Sequence, residues 1–501
     1  MSEIEGGGPF DRETIAQAKP SRRDFFKGAA AGVAMTTVAA AATTVAVAGP
    51  GAADDAMAAA DMEKYRALGG WIEKPSDIRP ALDGDTMADV VIIGGGFAGL
   101  STALELRRQG ANVAVIEREF CGFGASGRNA GYLAGAGGLE HDLFLKRVGD
   151  ETGKKIIQYY DGAVDYVEAR FKEYDIACDY VPSGVLRAAV DPSQEGRVRE
   201  SMEIGHRLGH KSQFLDSAEM RARGIPPAFL FGEYDPRGGT LNPGKYVLGL
   251  RAAALRAGVR IYETTPMLSY AEGRTIKVQT PRGAVRARAM VFATNGYTPG
   301  NGLLETKVMP VRVSAIETEP LSPAQLKSLG WPRREGIVTA HYMMESHRLT
   351  ASDTLVVTTK KVRYPYGSRT PNVPDYDAYH ALRRALHERF PTVRGIALRT
   401  CWSGYISFAQ DALPVIGVTG ADQNIFYTAG CSGHGVASQS FVGHLLAQRI
   451  RGVVDPILAG IRHDTPNLLP EPLRWCTVNG AFAATNVMDE RLNAKIAARS
   501  A

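Results

Sequence analysis

The sequence predicts an α/β protein of two lobes: a doubly wound lobe around a parallel sheet, and an α+β lobe built on a mostly antiparallel sheet. Three observations carry that expectation. The apolar run 90–93 ends in Gly94-x-Gly96-x-x-Gly99, a helical pattern follows, and Val113–Ile116 ends at Glu117. That is strand, tight turn, helix, strand and acid in register, the βαβ unit of a Rossmann-type dinucleotide-binding domain. Strand-like runs at 184–190, 308–318, 336–342 and 355–362 supply a second sheet. At 501 residues, the chain exceeds what one core accommodates.

Each part of the βαβ unit has a physical task. Gly94 turns the chain out of the strand, Gly96 lets backbone approach a pyrophosphate, and Gly99 lets the helix pack tightly on the strand. The phosphates then meet the free N–H groups and positive end of the helix. Leu100, Ala103, Leu104 and Leu106 give that helix a buried face, and Gly110 suits its C-terminal cap. Glu117 stands 18 residues beyond Gly99, close to the spacing of roughly 20 expected of a ribose-binding acid. The competing reading is a glycine-rich turn without ligand. The unit itself does not distinguish NAD from FAD.

A second glycine-rich run, 123–131, lies where a flavin's diphosphate and ring would extend. Gly124 keeps the backbone open, Ser126 and Asn129 offer hydrogen bonds, and Arg128 adds a cation. Read alone, the run is equally a flexible loop. In order with the Rossmann start, however, Gly-Ala-Ser-Gly-Arg-Asn-Ala-Gly resembles the D-amino-acid oxidase-like FAD oxidoreductases. The branch it most resembles is that of gamma-glutamylputrescine oxidase, with glycine oxidase and sarcosine oxidase more distant. The segments 239–250, 291–297, 309–312, 411–417 and 429–435 match the family in the family's order, over about residues 88–450. The resemblance implies FAD as cofactor. Its expected binding residues are Gly94, Gly96, Gly99, Glu117, Arg118, Gly124, Ser126, Arg128, Asn129, Met267, Gly433, His434 and Gly435. Gly433 and Gly435 would bring backbone N–H groups to the pyrimidine end of the flavin, and His434 would add a donor.

The resemblance also implies an amine or amino-acid oxidoreductase. A neutral amine gives a hydride to the flavin and the imine is hydrolysed, so no acid/base triad is demanded, and none is found. His347 and Arg348 stand at a tyrosine and an arginine of the family's substrate hairpin, while Thr358 and Thr359 replace its paired glycines. His347 is the candidate substrate contact, set against an ordinary strand position. Lys360 is the candidate oxygen-activating cation, set against a solvated strand residue. Some relatives tether FAD through a cysteine, but counting back from Asp411 that position falls on Gly404, three residues beyond Cys401. FAD is therefore expected to be non-covalent. Oxygen or an electron carrier would take the electrons. The alternatives are a non-catalytic flavin-binding partner subunit and a pyridine-nucleotide dehydrogenase.

The front of the chain reads as an export signal. Twin arginines Arg22 and Arg23, a weakly apolar stretch at 28–48 and a small-residue site at 46–48 resemble a bacterial twin-arginine leader, expected to be cleaved after folding with FAD in place. The alternative is a retained membrane anchor. The expected location is periplasmic, with the twin-arginine export machinery as a partner and no stable membrane insertion.

Composition is that of an ordinary folded protein, with 45% hydrophobic and 22% charged residues. A net charge of +5 argues for neither nucleic acid nor membrane. Five cysteines show no C-x-x-C, which argues against a disulfide scaffold or a zinc site. His206 and His210 share a helical spacing, but no acid or thiol partner is evident, and a solvated helix face is expected.

The expected organisation is a leader at 1–48, a linker at 49–86 in which Trp71 packs on the body, an FAD-binding domain from 87–145, 235–305 and 395–465, a substrate domain from 146–234 and 306–394, and a C-terminal tail at 466–501. Residues 383–389 are expected to form an amphipathic helix stopped by Pro391, and the tail a surface helix or partner contact.

Overall fold

The computed structural model describes residues 63–146 and 148–500, so the twin-arginine leader and the first part of the expected linker lie outside the described residues. The first sheet has eight strands. Its centre is parallel: Ile425–Ala429, Gly283–Phe292, Thr86–Ile93, Val113–Ile116 and Arg260–Tyr262 lie side by side in that order. Val415–Thr419 closes one edge antiparallel, and Ile276–Thr280 and Ser269–Ala271 fold back onto the first half of Gly283–Phe292. The run 90–93 is buried, as expected of a strand covered on both faces.

Helix Phe97–Arg108 packs against helix Gly435–Ile450 at close range. A Cβ on Gly443 would lie 2.6 Å from Ser101 Cβ and 2.7 Å from the Thr102 nitrogen. The two helices follow neighbouring parts of the parallel sheet, so both N-termini open onto its carboxyl edge, where ligands bind in such folds.

The second sheet also has eight strands, in the order Leu398–Ala409, Val308–Thr318, Leu355–Thr359, Glu345–Leu349, Gly336–Thr339, Val185–Ala189, Phe231–Asp235 and Gln213–Leu215. Every pairing is antiparallel except that of Gly336–Thr339 with Val185–Ala189. Helix Tyr376–Arg389 packs on it through Tyr379, Leu382, Ala385 and Leu386, and ends before Pro391.

Several boundaries differ from expectation. Leu398–Ala409 falls in the stretch assigned to the FAD lobe, yet it pairs along its length with Val308–Thr318 in the second sheet. Helix Asp150–Tyr174 falls in the stretch assigned to the substrate lobe, yet Ala163, Val164 and Val167 join the core beneath helix Phe97–Arg108. Residues 63–85 are packed structure: Tyr65 bridges Cys401, Ile72 and Leu82 are buried, and Trp71 Nε1 donates to the Asn129 carbonyl at 2.7 Å. The tail forms helix Leu473–Ser500, docked on the second lobe through Leu492 and Ile496 and through Asp489, which accepts from the backbone nitrogens of Tyr342 and Met343 at 3.0 and 2.7 Å. Among the described residues no helix is long and apolar enough to cross a membrane, and no disulfide joins the five cysteines.

Candidate functional site

A cleft, open at its mouth, runs across the carboxyl edge of the parallel sheet. Its walls come from distant parts of the chain: the glycine turn (Gly94, Gly96), the second strand end (Glu117, Arg118), the second glycine run (Gly124, Ser126, Asn129), Met267, Asn295, and the 431–439 segment.

The turn behaves as its residue types dictate. Gly94 adopts φ +105°, a region that L side chains avoid, and a Cβ there would fall 2.8 Å from the Ala293 carbonyl. A Cβ on Gly99 would lie 2.0 Å from the Gly94 oxygen. Gly99 therefore sits behind the turn as a packing residue and does not line the cleft. The Phe97 backbone nitrogen at the helix start donates to Ser126 Oγ at 3.0 Å, which joins the two glycine runs.

Glu117 lines the cleft with its carboxylate anchored by backbone. Oε2 accepts from the Gly95 nitrogen at 2.8 Å and Oε1 from the Glu119 nitrogen at 3.0 Å. Burial pushes its carboxyl up, against those two hydrogen bonds. Arg118 stacks over the Tyr297 ring, with the guanidinium carbon 5.3 Å from its centroid. Asn129 faces the cleft while its amide caps its own loop, donating to the carbonyls of Ala125 and Ser126.

Two expected cofactor contacts lie one layer back. Arg128 is buried behind Phe123, stacked on that ring at 4.6 Å, and donates to the carbonyls of Phe123 and Ser403 at 2.8 and 3.1 Å. It holds the loop and does not line the cleft, and burial lowers its pKa. Gly433 and Gly435 line the cleft at the start of helix Gly435–Ile450, but His434 between them turns away. Its ring nitrogens lie 3.0 Å from the Ser432 carbonyl and 2.8 Å from that of Gly138. Burial pushes its pKa down, and the neutral ring carries its N–H on one nitrogen, so it donates to one of these two carbonyls.

The expected catalytic pair is displaced further. His347 is fully buried between Phe229 and Phe390, at centroid distances of 5.6 and 5.4 Å, with Nε2 3.3 Å from Glu345 Oε2. Lys360 Nζ donates to Glu345 Oε1 at 2.7 Å, in a buried cluster with Arg389. Neither residue lines the cleft, and neither do Thr358 and Thr359. Strand alternation is the reason: Glu345 and His347 share the face away from the FAD lobe, while Arg348 points toward it and donates to the carbonyls of Ala130, Gly131 and Leu241 at 3.0, 2.8 and 2.6 Å. Cys401 lies in the core of the second lobe, where burial pushes its thiol up to about 12.

The cleft also presents residues that motif reading passes over. Asn295 Oδ1 and Gln439 Nε2 are buried wall atoms without a hydrogen-bond partner, while the same side chains bond Cys431 Sγ at 3.2 Å and Thr428 Oγ1 at 3.2 Å. Unpaired buried polar atoms beside a cleft are what a polar ligand satisfies. Asn295 lies in a segment already singled out at 291–297; Gln439 carries no sequence signal beyond being polar in an apolar helix. The glycine cradle, the anchored acid and these orphaned groups fit a flavin dinucleotide.

Residues 89–449 match the DAO family, described as FAD dependent oxidoreductase. The chain belongs to that family. It is 31% identical over 368 residues to the gamma-glutamylputrescine oxidoreductase of Escherichia coli, covering 73% of this chain and 84% of the relative. It is 23% identical to the glycine oxidase of Geobacillus kaustophilus, covering 72% and 92%. The solved structure of glycine oxidase from Geobacillus kaustophilus superposes with a TM-score of 0.65 at 19% identity, over 75% of this chain and 99% of the other. The DAO-family match makes FAD the cofactor and the protein an FAD-dependent oxidoreductase, which removes the pyridine-nucleotide alternative. Gly94, Gly96, Glu117, Arg118, Ser126, Asn295, Gly433 and Gln439 line the cleft that would hold it.

Proposed function

We propose that the protein oxidises a small amine or amino acid at its CH–NH bond. The chain's relatives include a gamma-glutamylputrescine oxidoreductase and a glycine oxidase. The observation that carries the reading is the chemistry of the cleft wall. Among the described residues Glu117 is its only carboxylate, and each of its oxygens accepts from a backbone N–H group. A reaction that needed a general base would require another. FAD, when bound, would supply the acceptor for a hydride from a neutral amine's α-carbon, leaving an imine that water would convert to a carbonyl compound and an amine or ammonia. The protein's part is to hold and orient: the start of helix Gly435–Ile450 presents its positive end to the cleft, where it stabilises negative charge.

We further propose that the chain is exported by the twin-arginine route with FAD already bound, and works in the periplasm. Arg22 and Arg23 in their sequence setting support this reading. The electron acceptor is oxygen or a carrier. Lys360 is committed to Glu345 and supplies no cation to the cleft, so nothing favours oxygen on that ground.

Anaerobic addition of a panel of polyamine derivatives, N-alkyl amino acids and amino acids tests the activity. Bleaching of the flavin's visible absorbance by any of them, with carbonyl product formed one for one, supports it. A flavin inert to the whole panel leaves a non-catalytic binding role instead. Fractionation of cells carrying Arg22→Lys with Arg23→Lys tests export; unchanged periplasmic protein would rule out the twin-arginine route.

A further inference from the structure

Three side chains from separate elements converge away from the cofactor cleft. Asp161 comes from helix Asp150–Tyr174, Asp235 ends strand Phe231–Asp235, and His210 lies just beyond helix Glu195–Arg207. One donor atom from each lies within 4.8 Å of the other two.

The hydrogen bonding leaves the inward atoms unused. Asp161 Oδ1 accepts from the Ala136 nitrogen and Asp235 Oδ1 from the Arg237 nitrogen, both at 2.9 Å. Each carboxylate thereby turns Oδ2 toward the imidazole, 3.7 Å from His210 Nδ1 and 3.8 Å from Nε2. Those separations are too long for hydrogen bonds. The His210 side chain is 1% exposed, and neither of its ring nitrogens has a hydrogen-bond partner. A buried imidazole with both nitrogens unsatisfied is costly unless something occupies the space between it and the oxygens.

The surrounding charge asks for a cation. Glu233, two residues before Asp235 on the same face of its strand, is buried with Oε2 unpartnered and Oε1 held by Ser212 Oγ at 2.6 Å. The Arg237 guanidinium turns outward to Asp165 at 2.6 Å. His141 stacks on His210 at 5.4 Å, but its nitrogens face the carbonyls of Ala136 and Ser201.

We propose that Asp161, His210 and Asp235 bind a divalent transition-metal ion of the zinc or manganese class. One imidazole and two carboxylates are a donor set of that borderline-to-hard type. Ligand atoms around a tetrahedral ion at metal bond lengths near 2.1 Å lie about 3.4 Å apart; the ion takes one ring nitrogen only, so the carboxylate now facing the other nitrogen shifts across as the three side chains draw in by roughly one ångström. The ion clamps helix Asp150–Tyr174 to the second sheet and to the 135–138 turn. A Cβ on Gly137 would lie 2.4 Å from Asp235 Oδ2, which shows how closely that turn covers the site. His206, at helical spacing from His210, faces Ser212 and takes no part.

The test uses FAD-loaded enzyme stripped with chelator and titrated calorimetrically with zinc chloride, then with manganese chloride. One ion per chain at micromolar affinity or better is expected, with proton release and a raised thermal midpoint. His210→Ala and Asp235→Asn should each weaken binding by about 100-fold or more, while His206→Ala should match the wild type. X-ray absorption of the zinc-loaded wild type should show a nitrogen/oxygen shell with a single imidazole. That readout needs no variant to fold. No saturable binding of either ion up to millimolar concentration would overturn the proposal, leaving a doubly protonated His210 as the bridge between the carboxylates. A shell containing sulfur or two imidazoles, or affinity unchanged in His210→Ala, would overturn it equally.

Discussion

His347 and Arg348 are consecutive in one strand and act on opposite faces of its sheet. His347 is enclosed by Phe229 and Phe390 with Glu345 at its Nε2, whereas Arg348 Nη1 reaches the carbonyls of Gly131 and Leu241 at 2.8 and 2.6 Å. Arg348 also lies over the Trp71 ring at 4.7 Å. One guanidinium therefore ties the hairpin of the second lobe to the loop that follows Asn129 on the cofactor cleft. Desolvation lowers its pKa to about 10, still far above neutrality, so the tie is charged at physiological pH.

Replacing Arg348 with Met keeps the stem and removes the donors. The carbonyls of Ala130, Gly131 and Leu241 are then left without this partner in a dry setting, which costs about 3 kcal/mol. The expected result is a lower denaturant midpoint for the holoenzyme together with faster FAD release, because the released loop carries Asn129. Arg348→Lys should recover only part of the loss, since an ammonium lacks the planar fork. Wild-type FAD retention in Arg348→Met would separate the loop from cofactor binding.

His347→Phe fills the same aromatic niche and gives up the contact with Glu345. Stability should fall by no more than about 2 kcal/mol, and the rate of anaerobic flavin reduction by the best amine should stay within a few-fold of wild type. A ten-fold slower reduction in a variant that keeps its FAD would place the imidazole in contact with substrate.

Glu117 offers a different kind of test because its oxygens hold the Gly95 and Glu119 nitrogens. Glu117→Gln keeps an acceptor for one of them and loses the charge. FAD affinity should weaken by roughly 10-fold to 100-fold, equivalent to about 1–3 kcal/mol, read by fluorescence titration of the stripped enzyme with FAD. The substrate-reduction rate of the fully loaded variant should change little.

Local signals were readable in the sequence, and long-range pairing was not. The Gly94–Gly99 turn is legible because every residue acts on atoms a few positions away; the Gly99 contact with the Gly94 oxygen is one example. The strands at 308–318 and 355–359 are legible from their β-branched runs. Leu398–Ala409 is not assignable from sequence, because its alternation of Trp402, Gly404 and Ile406 suits either sheet and only its pairing with Val308–Thr318 decides. The packed stretch before Thr86 hides behind a polar composition in which the apolar anchors Tyr65, Leu68, Trp71, Ile72, Ile78 and Leu82 show no regular period. In the site, the motif glycines identify the cradle, while the face on which His347 falls depends on strand register, where one residue reverses the outcome. Asp161 and Asp235, the acids that approach His210, lie 49 and 25 residues away from it in sequence, beyond the reach of motif spacing.

The joint between the C-terminal helix and the second lobe holds two opposed titrations. Desolvation pushes His341 down to about 4, near the positive charges of Arg389 and Lys360 and the negative charge of Glu345. A depressed histidine contributes stability above its unfolded value of about 6.5 that is lost as pH falls through 4. Desolvation also pushes Asp489 up to about 6. A raised carboxyl contributes stability that is full below its unfolded value and lost as pH rises through 6. The two therefore offset one another between pH 4 and 6. Asp489→Asn removes one side, so as pH falls across that window the wild type should gain on the variant by about 2 kcal/mol. Denaturant midpoints of both proteins at matched pH check this; parallel curves would show that Asp489 titrates normally.

Thr359 stands where the family resemblance implies a glycine, and its backbone is left-handed. It adopts φ +77° and Lys360 follows at +47°, both in the left-handed region that a β-branched residue tolerates poorly. Its hydroxyl lies 3.3 Å from that of Thr358, a weak return. Neither threonine lines the cofactor cleft, so the strain has no evident role in binding FAD. Thr359→Gly relieves a left-handed penalty of about 1–2 kcal/mol and incurs the greater backbone entropy of glycine, about 0.5–1 kcal/mol. A net gain of about 0.5–1 kcal/mol is expected, seen as a higher denaturant midpoint with FAD content unchanged. If stability falls instead, Thr359 makes a favourable contact that outweighs its strain. If stability rises while amine-driven flavin reduction slows, the strained turn shapes the substrate side of the enzyme from behind the sheet.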